Sequence, residues 1–269
     1  MPTSQLSNHI ITTYMIIRKG LGYIALAFPP LLAAGGYALA DLQLEGSMSA
    51  YYHASPLSQA YELLHPGCHV HHGEGVMRNW FVGLLFAEGI ILILYKGFTR
   101  MEDYALNIAG AMGMGVALFP MAWGDGFKGV QYSVFGIPCS LHGTCAVALF
   151  LCIGYVCIFR APDTLNLITD DNRRSRYQII YKILGWAMIA SPLTAFTVSV
   201  VLRKQNAITF FIELIGIWVF AIYWLFKSRE ISETDADGKA ARGELQVISD
   251  EKRHPFRKLQ IVPRDVASQ

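Results

Sequence analysis

The chain has 269 residues, of which 53% are hydrophobic and only 16% charged, with a positive mean hydropathy and a formal charge of +2. A soluble domain carries about a quarter charged residues, so the deficit marks lipid as the solvent. The near-neutral balance and the lack of a basic-aromatic pattern exclude a nucleic-acid partner, and five cysteines in this length do not make a disulfide scaffold.

Residues 1–19 read as a polar, cytoplasmic N-terminal segment ending in Arg18-Lys19. From Gly20 to Ala40 runs an apolar stretch long enough to cross a hydrocarbon core of about 30 Å. Pro29-Pro30 is expected to kink it, and Gly35-Gly36 lets a neighbour approach closely. Ala38-Leu39-Ala40 before Asp41 mimics a signal-peptidase site, but the apolar region is too long and starts too far from Met1, so a retained first helix is expected.

A polar segment, SMSAYYH (47–53), then leads into an insert at 54–75 that holds HPGCHVHHGEG. The second span covers about Asn79–Tyr95 and carries one carboxylate, Glu88, near its middle. Lys96, Arg100, Glu102 and Asp103 form a short loop, with Asp103 and Asn107 read as capping and anchoring the next helix. The third span, about Tyr104–Trp123, offers Ala109, Ala111, Gly113 and Gly115 for close helix contact.

Gly124–Pro138 is a Gly-rich connector. The fourth span, about Cys139–Phe159, includes Cys145, Cys152 and Cys157, read as small hydrophobes. A loop with Asp170, Asp171, Arg173, Arg174 and Arg176 precedes the fifth span, about Ile183–Leu202, in which Ser191 and Thr194 flank Pro192 and can re-satisfy the freed carbonyl. The sixth span is about Ala207–Phe226. Residues 227–269 are charged, lack an apolar period and are expected to form a disordered cytoplasmic tail.

The expected fold is therefore all-α, a six-transmembrane-helix bundle occupying residues 20–226. An even count puts both termini on one side, and eighteen of the twenty-two Lys and Arg residues fall there. By the positive-inside rule both termini are cytoplasmic and the insert faces outward.

An ionisable side chain inside an apolar span costs at least a few kcal/mol, so Glu88 and Glu213 in the sixth span are expected to turn into the bundle. Ser49, Tyr51, Tyr52, His53, Arg78 and His142 lie near the same, outer end. Two readings stand: a polar pocket open to the outside, with Arg78 pairing a carboxylate, or buried polar groups that only fix packing. His65, Cys68, His69, His71 and His72 carry imidazole and thiolate donors suited to Zn²⁺ or Cu²⁺, although the cluster lacks the spacing of structural zinc sites. Cys68 and Cys139 both fall on the outer side, where a disulfide would persist.

SMSAYYH followed by MRNWFVG, with YKG, ED and an NIAG…VALFP run behind, resembles a family of uncharacterised bacterial multi-pass membrane proteins. In that family an S-x-S-A-Y-Y segment leads into M-R-[ND]-x-F-V-G; Leu141-His142 and Glu213 fit as well. The resemblance covers most of residues 45–228 and implies a plasma (bacterial inner) membrane location. The insert departs from the pattern, which places the His cluster outside it. The family supplies architecture and candidate residues but no chemistry.

Two functions follow. The first is small-ligand or proton binding, transport or sensing at the outward pocket, supported by the prolines that break helices and by the membrane carboxylates. The second is a metal-dependent membrane-embedded hydrolase in which His53, His142 and a carboxylate hold zinc and activate water. No G-x-S-x-G, Walker A or G-x-G-x-x-G pattern is present to place a soluble chemistry.

Overall fold

The computed structural model describes residues 3–40, 44–53, 76–122, 128–135, 137–202, 207–248, 256 and 259–264. Its long helices are α1 (Thr3–Ala40), α2 (Val76–Leu94), α3 (Arg100–Leu118), α4 (Leu141–Tyr155), α5 (Asp171–Leu202) and α6 (Ala207–Thr234). They form a closed ring in chain order: each packs mainly on its sequence neighbours, and α6 closes back on α1. The Trp218 indole N–H, donating to the Leu26 carbonyl at 3.2 Å, is one stitch of that closure.

Local chemistry sets the helix boundaries. Thr99 caps α3 by accepting from the Glu102 N–H at 3.3 Å, and Glu102 reaches back to the Phe98 N–H at 2.9 Å. This reciprocal pair satisfies amides that the first turn leaves open. Asp103 accepts from the Gly97 N–H at 2.7 Å and pairs with Lys96, so it anchors the α2–α3 turn as expected. Two antiparallel strands, β1 (Gln131–Val134) and β2 (Ile137–Ser140), occupy part of the Gly-rich connector. After α4 the chain passes through a π-turn at Val156–Arg160 and a 3₁₀ segment at Ala161–Leu167.

Among the described residues, four stretches are long and apolar enough to cross a membrane: His9–Leu39, Val76–Leu94, Leu141–Leu167 and Ile208–Thr234. The other two long helices, α3 and α5, open on charged turns. Large apolar side chains such as Ile183, Trp186, Ile215 and Leu94 point away from the ring, as a lipid-facing surface requires.

The tight helix crossings differ from the expected stripe. A Cβ on Gly110 would lie 2.4 Å from the Gly89 carbonyl oxygen, so α2 and α3 touch backbone to backbone at Gly89 and Gly110. Of the expected small residues, Gly115 faces Cys145 and Ala109 is buried, while Ala111 points outward.

The expectation of a disordered tail from residue 227 is corrected. α6 runs on to Thr234, α7 (Ala236–Ala241) follows, and β3 (Leu245–Ile248) pairs antiparallel with β4 (Gln260–Pro263). Ile231, Ala236 and Ile261 bury against Leu167 in a small apolar cluster of their own. Each piece is too short to register as an apolar period, yet β4 and the end of α6 pack on the 3₁₀ segment, and α7 packs on α1 and α6.

Candidate functional site

A cavity of about 110 Å³ lies within the ring. Its wall is mostly apolar, built from side chains such as Phe81, Leu85, Leu149 and Phe220. Three polar side chains reach it: Ser49, Glu88 and Glu213. They come from three separate stretches of chain, and the ring closure brings them together.

Glu213 is fully engaged. It accepts from the Ser47 hydroxyl at 2.9 Å and from the Met48 N–H at 2.7 Å. Ser47 in turn caps the 3₁₀ turn Met48–Tyr52 by accepting from the Ser49 N–H at 3.2 Å. The Phe210 N–H also donates to the Gly46 carbonyl at 3.0 Å. The polar SMSAYYH segment is thus folded over the mouth of the ring and pinned there by the first turns of α6.

Glu88 is different. Its Oε1 is buried and has no hydrogen-bond partner among the described residues. A buried polar atom without a partner carries a desolvation cost of roughly 1–3 kcal/mol, more when charged.

The two imidazoles sit at the end of α3. His142 directs Nδ1 at the carbonyls of Phe119 (2.9 Å) and Val116 (3.1 Å), so Nδ1 carries the proton. Nε2 lies 3.0 Å from the Ser49 hydroxyl and in the neutral ring accepts from it. His53 Nε2 lies 3.0 Å from the Met121 carbonyl. His142 therefore satisfies carbonyls that the end of α3 leaves open, while His53 meets one just beyond it.

Arg78 stacks its guanidinium over the Tyr52 ring at 5.7 Å and, among the described residues, pairs with neither carboxylate. Tyr52 also packs edge-on to Phe81. Tyr51 is buried against Gly36, where a Cβ would meet its ring at 2.6 Å. Burial pushes the nearby Glu45 carboxyl above its ordinary range.

Of the expected set, Ser49, Glu88 and Glu213 share the cavity, while Tyr51, Tyr52, His53, Arg78 and His142 form the packed rim beside it. His65, Cys68, His69, His71 and His72 lie outside the described residues, as does the Cys68 half of the Cys68–Cys139 pairing. Among the described residues no three His, Cys, Asp or Glu side chains group as metal ligands.

Sequence reasoning missed a second polar centre at the opposite end. Lys227 Nζ donates to Glu230 (2.6 Å), Thr164 (2.6 Å) and the Ala161 carbonyl (3.0 Å). Tyr181 donates to Glu230 at 2.9 Å, and Thr164 does so at 2.6 Å. Beside this centre Arg160 pairs with Asp163, which also accepts from the Leu259 N–H, and Arg18 pairs with Asp237. The available signal was spacing: Phe220, Trp224, Lys227 and Ile231 continue one inward face of α6.

The fold and site define a helical protein with, among its described residues, four helices of membrane-crossing length and composition, closed around an apolar cavity that carries two carboxylates. No family model matches the chain, and neither a curated protein nor a solved structure matches it.

Proposed function

We propose that this is a six-span protein of the plasma (bacterial inner) membrane, with both termini cytoplasmic, whose cavity binds a proton or a small ligand at Glu88. The bilayer and that ligand are its partners. The count of six adds α3 and α5 to the four apolar helices, since they share the same ring. The eighteen-to-four distribution of Lys and Arg supports the orientation.

One observation carries the binding role: a carboxylate oxygen, buried and unpartnered among the described residues, on the wall of a cavity. Glu213 already has its donors, so Glu88 is the acceptor left for a guest. The lining selects a compact, largely apolar molecule with one N–H, O–H or ammonium group. A void of roughly 150 Å³ holds benzene, so this cavity of about 110 Å³ suits a guest smaller than an aromatic ring. The same chemistry serves uptake, transport or sensing.

The metal-dependent hydrolase reading needs imidazole nitrogens aimed at a common point. His142 has both nitrogens engaged, and His53 Nε2 meets a main-chain carbonyl. The ligand-binding reading is therefore preferred.

The test is a melting titration of the purified protein with n-propylamine and n-butylamine, using butanol as the uncharged control, together with infrared difference spectra of the carboxyl stretch on changing pH. A saturable amine-induced rise or a titrating carboxyl band should appear in the wild type. Both should vanish in Glu88→Gln, with melting of the ligand-free variant unchanged. Equal responses in the two proteins, or no response in either, would reject the role.

A further inference from the structure

Where α5 and α6 meet, a second cavity of about 160 Å³ opens beside the first turns of α5. Three guanidiniums line it, those of Arg173, Arg176 and Arg229, and its floor is Tyr177, Ile180 and Phe226. One carboxylate faces them. Glu233 accepts from Arg229 at 2.9 Å, Arg173 at 3.3 Å and the Tyr177 hydroxyl at 3.2 Å. Arg176 pairs with no carboxylate among the described residues, so three cations face one anion.

An apolar track leads away from this pocket. Arg176, Ile180 and Ile183 recur at helical spacing on α5, and Ile179, Ile183 and Trp186 are all more than half exposed beside them. A basic pocket at a helix junction, continued by an outward apolar stripe, matches one amphiphile: a phosphate group in the pocket with an acyl chain on the stripe.

We propose that this pocket binds the phosphate of an anionic phospholipid, held by Arg176, Arg173 and Arg229, with an acyl chain laid along Ile183 and Trp186. Guanidinium forks match phosphate oxygens in pairs. The pocket lies at the end of the bundle where Arg18 pairs with Asp237 and where most of the Lys and Arg residues gather. Basic pockets between spans on that side take anionic headgroups. The inference rests on the membrane reading but not on Glu88.

The experiment is native mass spectrometry of the full-length protein in detergent, titrated with phosphatidylglycerol or phosphatidylcholine of identical acyl chains. Each basic residue near an anionic headgroup contributes about fivefold in affinity. Wild type should therefore prefer phosphatidylglycerol, Arg176→Gln should lose about fivefold of that preference, and Arg176→Gln/Arg229→Gln roughly 25-fold.

Lys128→Gln, an equal charge change at the exposed start of the β1–β2 hairpin, at the other end of the bundle, should lose none. If the double variant misfolds, Arg176→Gln alone decides, because Arg176 has no ion pair to break among the described residues. Equal binding of the two lipids by wild type, or an equal loss in Lys128→Gln, overturns the proposal. Displacement of bound phosphatidylglycerol by millimolar glycerol phosphate or inorganic phosphate would assign the pocket to a soluble phosphate and also overturn the lipid. Glu88→Gln should retain full lipid preference, which separates this result from failure of the ring cavity as a binding site.

Discussion

The buried pair Lys227–Glu230 offers the sharpest test of the fold. The side chains are 1% and 0% exposed, and each has satisfied hydrogen-bonding neighbours. Glu230→Leu leaves the Lys227 ammonium with only two neutral acceptors, Thr164 and the Ala161 carbonyl, and strands the Tyr181 hydroxyl. Breaking a buried pair from one side costs about 3–5 kcal/mol. Lys227→Met strands the Glu230 carboxylate and should cost a similar amount.

The double variant removes both charges. Thr164 can still donate to Ala161, at 3.3 Å, so the main residue of damage is the Tyr181 hydroxyl, worth roughly 1–3 kcal/mol. The double should therefore be more stable than either single, with a coupling of at least about 2 kcal/mol. At roughly 2–4 °C per kcal/mol, each single lowers Tm by about 6–20 °C and the double by about 2–12 °C. Tryptophan-fluorescence melting of all four proteins in one detergent reads this directly. Additive losses, or singles that melt with the wild type, would show that water screens the pair and that this end of the ring is not closed as described.

Gly110→Ala should lower stability by about 1–3 kcal/mol through the backbone contact with Gly89, outweighing the helix-propensity gain of up to ~1 kcal/mol. Gly83→Ala, with open space at its Cβ, should be neutral or stabilising in the same melting assay. For topology, in a cysteine-free background, Phe135→Cys at the fully exposed hairpin tip should react with an impermeant maleimide from outside. Gln246→Cys should react only after permeabilisation, and the reverse pattern would invert the orientation. Deleting Ser55–Gly73 should leave a monodisperse protein in detergent, since polar loops change length at small entropic cost; aggregation would show that the insert packs on the bundle.

What the sequence determined by itself was the solvent and the expensive residues. Apolar runs of span length place each long helix, because lipid demands internal backbone hydrogen bonding whatever the tertiary arrangement, but not its polar ends: α1 starts at Thr3 rather than Gly20, α5 at Asp171 rather than Ile183, and α6 runs on to Thr234. Glu88 and Glu213 were legible for the same reason: a carboxylate among Leu, Ile and Phe must turn inward. Their unlike states, Glu213 tied to Ser47 and Met48 and Glu88 with an open oxygen, depend on what α1, α3 and the 47–53 segment bring near them.

His53 and His142 look like a metal pair in sequence, but α3 ends beside them, so that His142 caps its carbonyls and His53 meets that of Met121 just beyond. Lys227 and Glu230 look like the start of a solvated tail, and they are buried because the π-turn and 3₁₀ segment after α4 fold Ala161 and Thr164 over them. Periodicity records how one element meets a solvent. The partner of a polar group is chosen by residues far away in the chain, and only the closed ring brings them within hydrogen-bonding reach.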